Sequence, residues 1–204
     1  MTYMNTCEAA LRADAYALLS ACFRAPCAEW AESIRSASGA AATLPPGFPR
    51  TEAGDEWLEG LRREHARLFV GPFRVLAPPY GSVYLEEAGG VMGDSTADAL
   101  RRYAEAGFEV ECAGPPDHVS LELEFMARLA TEEAAALQEG DVARAELALE
   151  RQRRFFVEHV GEWGPAFASR VGEHAEGVFY QELGAATQEF LSGERIKIAA
   201  ASPL

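Results

Sequence analysis

Apolar residues recur at three- and four-residue intervals over much of the chain, which is the spacing of one face of a helix. This pattern predicts helices over residues 6–22, 26–37 and 53–70, and Asn5 or Thr6 is suited to cap the first of them. Polar residues fall between the apolar ones, as they do in helices that bury one side against a core. The first third of the chain is therefore predicted to be helical.

A long loop separates these helices from the rest of the chain. Gly71 and Pro72 end the third helix, and the segment through Gly93 holds further glycines and prolines. Loops of this length within a compact domain are more often functional than idle. The later helices that the pattern predicts span residues 94–107, 117–139, 141–160 and, as one broken helix or two short ones, 162–191.

Composition supports a helical fold and excludes a disordered chain. Alanine accounts for 38 of the 204 residues, whereas valine, isoleucine and threonine together account for 21. Alanine favours helices and β-branched residues favour strands. Hydrophobic residues make up 49% of the chain, which is more than disordered chains contain. The sequence therefore predicts an all-α protein, a single globular helical domain of about seven to nine helices, with a long functional loop between the third and fourth helices.

The predicted domain spans residues 1–191 and includes a flexible loop insert at residues 38–52. The insert is rich in glycine, proline and alanine, a composition that favours a connecting loop. Residues 192–204 follow the last predicted helix, and we expect them to form a polar C-terminal tail.

Charge narrows the classes of partner. The chain carries 18 basic and 32 acidic residues, a formal net charge of −14 at pH 7. Such a charge repels a polyphosphate, so we expect no nucleic acid partner. The N-terminal segment has no basic start and charged residues interrupt its apolar positions, unlike a secretory signal. We therefore expect a cytoplasmic protein with no stable membrane insertion.

The chain lacks the motifs of common cofactor sites and of nucleophilic enzymes. It contains no Gly-rich phosphate loop and no GxSxG turn. The cysteines are scattered at positions 7, 22, 27 and 112, without the paired spacing of a zinc site. We expect no cofactor, no metal and no catalytic residues.

The predicted helix over residues 117–139 holds the most informative polar residues. Its six acidic residues and one arginine leave a charge of −5 on this segment. His118 and Glu122 lie four residues apart in the middle of the apolar arc of the helix. An imidazole and a carboxylate on a buried face need partners or a water-filled groove.

Three interpretations of this pair stay open on the residues alone. In the first, His118 bonds to the backbone or to Glu122 and only holds the chain near Pro116. In the second, a metal-dependent or acid–base enzyme uses His118, Glu122 and His159. In the third, the pair forms the polar floor of a peptide-binding groove beside the loop over residues 71–93.

Several ordered blocks resemble the TorD/DmsD/NarJ superfamily of redox-enzyme maturation chaperones, closest to the TorD/DmsD branch. Together they cover roughly residues 60–185. The blocks are Arg67-Leu68-Phe69, Ala77 through Leu85, Met92 through Thr96, Pro116 through Val119, Glu122 through Met126, His159-Val160 with Trp163, and Phe179 through Leu183.

The resemblance implies an all-helical protein that is not an enzyme. It implies a chaperone that binds the twin-arginine signal peptide of a molybdopterin-containing oxidoreductase subunit and holds the precursor for cofactor insertion before export. It also implies a monomer or a dimer with exchanged segments. The partner-binding residues that it implies are Leu68, Phe69, Pro79, Tyr80, Ser82, Tyr84, Gly93, Asp117, His118 and Glu122.

A twin-arginine signal peptide has a basic start followed by an apolar segment, and both need a matching surface. We expect the apolar segment to contact the aromatic and aliphatic residues of the implied set, namely Leu68, Phe69, Tyr80 and Tyr84. The arginines are expected to meet the carboxylates of Asp117, Glu122 and Glu124, because Arg–carboxylate pairs form charge-assisted hydrogen bonds. His118 is expected to orient these carboxylates.

Overall fold

All regular elements of the described chain are helices, which confirms the predicted all-α class. The computed structural model describes residues 6–39, 54–71, 75–87, 90–110 and 114–200. Within these ranges the helices are α1 Thr6–Cys22, α2 Ala28–Gly39, α3 Asp55–His65, α4 Ser82–Leu85, α5 Asp94–Glu105, α6 Val119–Glu139, α7 Val142–Glu158, α8 Val160–His174 and α9 Val178–Ala200. None of the described helices is both long and apolar enough to cross a membrane.

The connection after α3 contains more structure than the predicted loop. α3 continues into a π-helical turn, Ala66–Val70, and Gly71 follows with a positive φ of 54°. The one-turn helix α4 lies inside the predicted loop, so the helix predicted to be the fourth is α5. The predicted insert at residues 38–52 falls mainly on residues 40–53, which lie outside the described residues.

α6 forms the centre of the helical packing. It packs against α1, α7 and α8, while α8 packs against α9. Its buried apolar residues extend over five turns and on most sides of the helix, because neighbours cover it in several directions. They include Val119, Leu123, Phe125, Met126, Leu129, Ala130 and Ala136.

The two ends of α6 are stabilised in different ways. Gly140 ends the helix in the left-handed conformation with φ 74°, as expected for a glycine in a tight turn. At the start, the capping residue is His118, because its Nδ1 accepts a hydrogen bond from the Ser120 amide at 3.2 Å. Asp117 is thereby left to bond elsewhere.

The predicted C-terminal tail from residue 192 is corrected by α9, which continues to Ala200. Glu194 is 1% exposed, and its Oε2 accepts hydrogen bonds from Nε of Arg12 at 2.8 Å and from the Tyr16 hydroxyl at 3.1 Å. Arg12 is itself buried in the middle of α1. A buried arginine needs carboxylate partners, and this extension of α9 supplies one of them in Glu194.

Candidate functional site

The site is built where the connection after α3 meets the start of α6. Tyr80 and His118 form an isolated antiparallel β-bridge. The Val119 amide donates to the Pro79 carbonyl at 2.8 Å, and the Gly81 amide donates to the Asp117 carbonyl at 2.9 Å. These bonds hold a proline-rich segment against the first turn of a long core helix.

Gly81 is needed here because the backbone approaches a buried tryptophan. A Cβ atom on Gly81 would lie 2.9 Å from Nε1 of Trp163 and 3.2 Å from Oε1 of Glu122. Any larger residue would push the segment away from the core. The glycine could be noticed in the sequence, but its neighbours could not.

Asp117 holds the connection and is not open to a partner. It is 1% exposed, and its Oδ2 accepts a hydrogen bond from the Ser82 amide at 2.7 Å. The Ser82 hydroxyl in turn accepts from the Met92 amide at 3.3 Å. Asp117 and Ser82 therefore link three stretches of chain, and the expectation that Asp117 directly attracts an arginine does not match its burial.

His118 is a neutral cap and a ring partner. Burial lowers its pKa to about 4. The nearby charges of His65 and Arg24 also lower the pKa, whereas the charge of Asp117 raises it. A neutral ring leaves Nδ1 free to accept from the Ser120 amide. Its ring packs edge-on against Tyr80, with centroids 5.4 Å apart. His118 thus fixes the start of α6 and one face of Tyr80, and does not orient carboxylates as expected.

Glu122 is fully buried and bonded to α8. Its Oε2 accepts a hydrogen bond from Nε1 of Trp163 at 2.8 Å, and its Oε1 lies 3.7 Å from Nδ1 of His159, an ion-pair distance. Burial raises the pKa of Glu122 despite these partners. Like Asp117, Glu122 shapes the site from below and does not meet solvent, contrary to its expected role.

His159 extends this buried cluster to α5. Its Nε2 lies 2.9 Å from Oδ2 of Asp98, which also accepts from Nε of Arg102 at 2.8 Å. Burial alone would lower the pKa of His159, but the carboxylates of Glu122 and Asp98 outweigh it and raise the pKa above its ordinary value of 6.5. The cluster ties α5, α6 and α8 together.

We expect His159 to stabilise the protein less as the pH rises. A histidine whose folded pKa is raised contributes its full stability below the unfolded pKa, near 6.5, and loses it as the pH rises through the folded pKa. The measurement is the free energy of unfolding of wild type and His159→Gln in urea from pH 5.5 to 9. The difference between the two should shrink with rising pH, and a constant difference would contradict the assignment.

Three apolar residues of the implied set, Leu68, Phe69 and Tyr84, pack against the core. Leu68 and Phe69 are buried, and Phe69 packs against Phe167 and Tyr180, so they do not line an open groove. Tyr84 is half-buried and stacks on Trp163 with centroids 5.4 Å apart. These side chains belong to one aromatic cluster that supports the site.

Gly93 has a local structural role. A Cβ atom there would lie 2.5 Å from the carboxylate of Glu86. That carboxylate accepts from both the amide and the hydroxyl of Ser95 in the first turn of α5, at 2.9 and 2.7 Å. Gly93 therefore makes room for the side chain that caps α5.

An open cleft of about 680 Å3, which we call the α1–α6 cleft, lies beside the bridge. Of the implied set only Tyr80 and His118 reach it. Glu124 lines it too and is 41% exposed, bonded to Arg24. The remaining lining residues are Phe108, Glu109, Val110, Gly114, Pro115, Ser120 and Leu121. Among the described residues, the cleft therefore combines apolar surface with the carboxylates of Glu109 and Glu124. Sequence reasoning missed Arg24, Phe108 and Glu109, because these residues come from separate segments of the chain.

The three residues of the alternative metal site, His118, Glu122 and His159, do not come together in one place. Glu122 and His159 do approach each other, but Nδ1 of His118 is bonded to Ser120. Among the described residues no group of three or more His, Cys, Asp or Glu side chains is placed to hold a metal ion. The predicted grouping of these three residues is thus not found as a ligand set.

Comparisons with known proteins agree with the resemblance. The chain is 33% identical to the Tat proofreading chaperone DmsD of Salmonella typhi over 129 residues, which cover 62% of this chain and 56% of that protein. It is 35% identical to the chaperone protein TorD of Vibrio cholerae over 113 residues, which cover 54% of this chain and 49% of that protein. The match thus spans about half the length of these curated relatives.

The fold is also found in a solved structure. A redox enzyme maturation protein from Archaeoglobus fulgidus superposes with a TM-score of 0.59 at 26% identity, covering 88% of this chain and 93% of that chain. The family model described as the nitrate reductase delta subunit matches residues 17–169, well over half of the chain. The chain therefore belongs to the nitrate reductase delta subunit family.

Proposed function

We propose that this protein is a cytoplasmic chaperone, and not an enzyme, that binds the twin-arginine signal peptide of a molybdopterin-containing oxidoreductase subunit. It would hold the precursor for cofactor insertion before export. The observation that carries the proposal is the α1–α6 cleft, which places Tyr80 and His118 beside the exposed carboxylate of Glu124. The names of the relatives, a Tat proofreading chaperone and a TorD chaperone, support the same function.

The cleft offers a surface for each part of such a peptide. The rings of Tyr80 and Phe108 and the side chain of Leu121 give apolar contact for the segment after the arginines. Glu109 and Glu124 give negative charge for the basic start. The buried residues of the implied set act through position: Asp117 holds the Tyr80 segment, and Glu122 anchors α6 to α8.

Tyr80→Ala should weaken peptide binding about tenfold, because Tyr80 lines the cleft and tyrosine is enriched among the residues that dominate binding energy. The measurement is calorimetry with a synthetic peptide of two consecutive arginines followed by an apolar segment. Tyr80→Phe, which keeps the ring, should bind nearly as wild type does.

Leu147→Ala is the matched control, since it also truncates a large side chain that is partly exposed, but Leu147 lies on α7 and outside the lining of the cleft. It should leave the affinity unchanged. No binding by the wild type would overturn the proposed function. Equal losses in Tyr80→Ala and Leu147→Ala would remove Tyr80 from the contact surface.

A further inference from the structure

We propose that Glu124 is a guanidinium-binding subsite of the α1–α6 cleft, and that the chain's own Arg24 occupies it in the free protein. An arginine of the bound peptide would replace Arg24 on the Glu124 carboxylate. This inference rests on the proposed function and names the group that the subsite selects.

The geometry is that of an internal ligand. Nη2 of Arg24 donates to Oε2 of Glu124 at 2.6 Å, although the two residues lie 100 positions apart in the sequence. Arg24 follows the end of α1, and Glu124 lies in the second turn of α6. Both line the cleft with Tyr80 and His118. A guanidinium thus already sits where the proposed function requires one from the peptide.

Because the Arg24–Glu124 pair is exposed, replacing Arg24 with an arginine of the peptide costs little free energy. The side chains of Arg24 and Glu124 are 50% and 41% exposed, and exposed ion pairs contribute little to stability. After exchange, Glu124 keeps a guanidinium partner and Arg24 returns to solvent. By contrast, Arg12 is buried among its partners and could not be exchanged in this way.

The chemistry of the subsite favours arginine over lysine. A guanidinium presents several donors in a planar fork that matches a carboxylate, whereas an ammonium is a compact and strongly hydrated charge. Because the resting occupant is an arginine, a lysine that replaced it would exchange the better partner for the poorer one. The subsite therefore selects arginine over lysine at one position of the peptide.

His118 supplies a second readout that does not depend on affinity. The charge of Arg24 is one of the causes that lower the pKa of His118, after burial and the charge of His65. Removing Arg24 should raise this pKa, and a peptide guanidinium bound at Glu124 should lower it again. Titration of the His118 ring by NMR follows both steps.

The test combines three variants with the arginine peptide and a matched peptide that carries lysines. Arg24→Ala should bind the arginine peptide about threefold more tightly, since it removes the internal competitor of an exposed pair. Glu124→Gln should bind it roughly tenfold more weakly, because a charge-assisted hydrogen bond is lost. The double variant should bind as Glu124→Gln does, with no gain from the loss of Arg24.

Arg144→Ala controls for the general removal of a positive charge. Arg144 pairs with Glu139 at 2.9 Å, and α6 separates this pair from Glu124 by about 15 residues, roughly 22 Å. The affinity of this variant should not change at physiological salt.

The outcomes separate this inference from the function on which it rests. If the wild type binds the arginine peptide but Arg24→Ala binds no more tightly, the subsite assignment is overturned and the proposed function stands. A gain that persists in the double variant, or an equal gain in Arg144→Ala, overturns it as well. If no variant binds either peptide, both proposals fail together.

Discussion

Arg12→Ala is expected to lower the free energy of unfolding by about 3–5 kcal/mol, the range for breaking a buried ion pair by removing one partner. The guanidinium of Arg12 bonds Glu194 at 2.8 Å, Gln152 at 2.7 Å and Glu133 at 3.3 Å. All four side chains are buried. Without Arg12, Glu133 would lose its ion-pair partner in the core, and Glu194 would keep only the half-exposed Lys197, whose Nζ lies 3.5 Å away.

The measurement is urea unfolding at pH 7, with Arg144→Ala as control. Arg144 also pairs with a carboxylate, but its side chain and that of Glu139 are 36% and 61% exposed. The control should lose less than about 1 kcal/mol. A loss below about 1 kcal/mol in Arg12→Ala would show that the buried network contributes little.

A triple variant separates the unpaired charge from lost packing. Arg12→Met with Glu133→Leu and Glu194→Leu replaces the ionic groups by apolar ones of similar size, and such replacements are often neutral or stabilising. We expect it to recover most of the stability lost in Arg12→Ala. Failure to recover would mean that lost packing, or the hydrogen bonds that the buried Gln152 and Tyr16 lose in this variant, outweighs the relief of the unpaired charge.

Trp163→Ala is expected to lower the free energy of unfolding by about 3–5 kcal/mol, as is typical of a large aromatic removed from a core. Trp163 is 1% exposed. It stacks on Tyr84, donates to Glu122 at 2.8 Å and lies against Gly81. Its loss would therefore weaken the support of the Tyr80 segment, and we expect peptide affinity to fall with it.

Trp163→Phe isolates the hydrogen bond from the packing. The ring remains able to stack on Tyr84, but Oε2 of Glu122 loses its donor, at a cost of about 1–3 kcal/mol. Burial raises the pKa of Glu122 above its ordinary value of 4.5. The loss of stability in Trp163→Phe should therefore become smaller as the pH falls towards this raised pKa and the carboxyl takes up a proton. A deficit independent of pH would contradict the role given to the indole N–H.

Both predictions concern residues whose burial and contacts could not be predicted from the sequence. Arg12 lies in the middle of α1, where the spacing of apolar residues predicts a helix, but periodicity does not say which charged residue is buried. Its partners lie on α6, α7 and α9, the last of them in the stretch predicted to be a polar tail. Trp163 belongs to a block of the family resemblance, yet the resemblance did not assign it a contact.

Most individual helices could be predicted from the sequence, because a helix depends on the spacing of residues that are close together in the chain. The spacing of apolar residues predicts a helix over residues 6–22, and α1 is Thr6–Cys22. The predicted helix over residues 117–139 ends where α6 does, at Glu139. The all-α class follows from the same spacing together with the excess of alanine over β-branched residues.

The tertiary structure alone decided which of the implied site residues are buried and which line the cleft. Leu68, Phe69, Asp117 and Glu122 are buried, whereas Tyr80 and His118 reach the cleft. Burial and charge pairing depend on side chains that meet across large sequence separations, as Arg24 and Glu124 do over 100 residues. Periodicity acts over a few residues and carries no information at that range. The sequence by itself therefore determined most of the helices and the family resemblance, and the fold decided where the cleft lies and which charged residues line it.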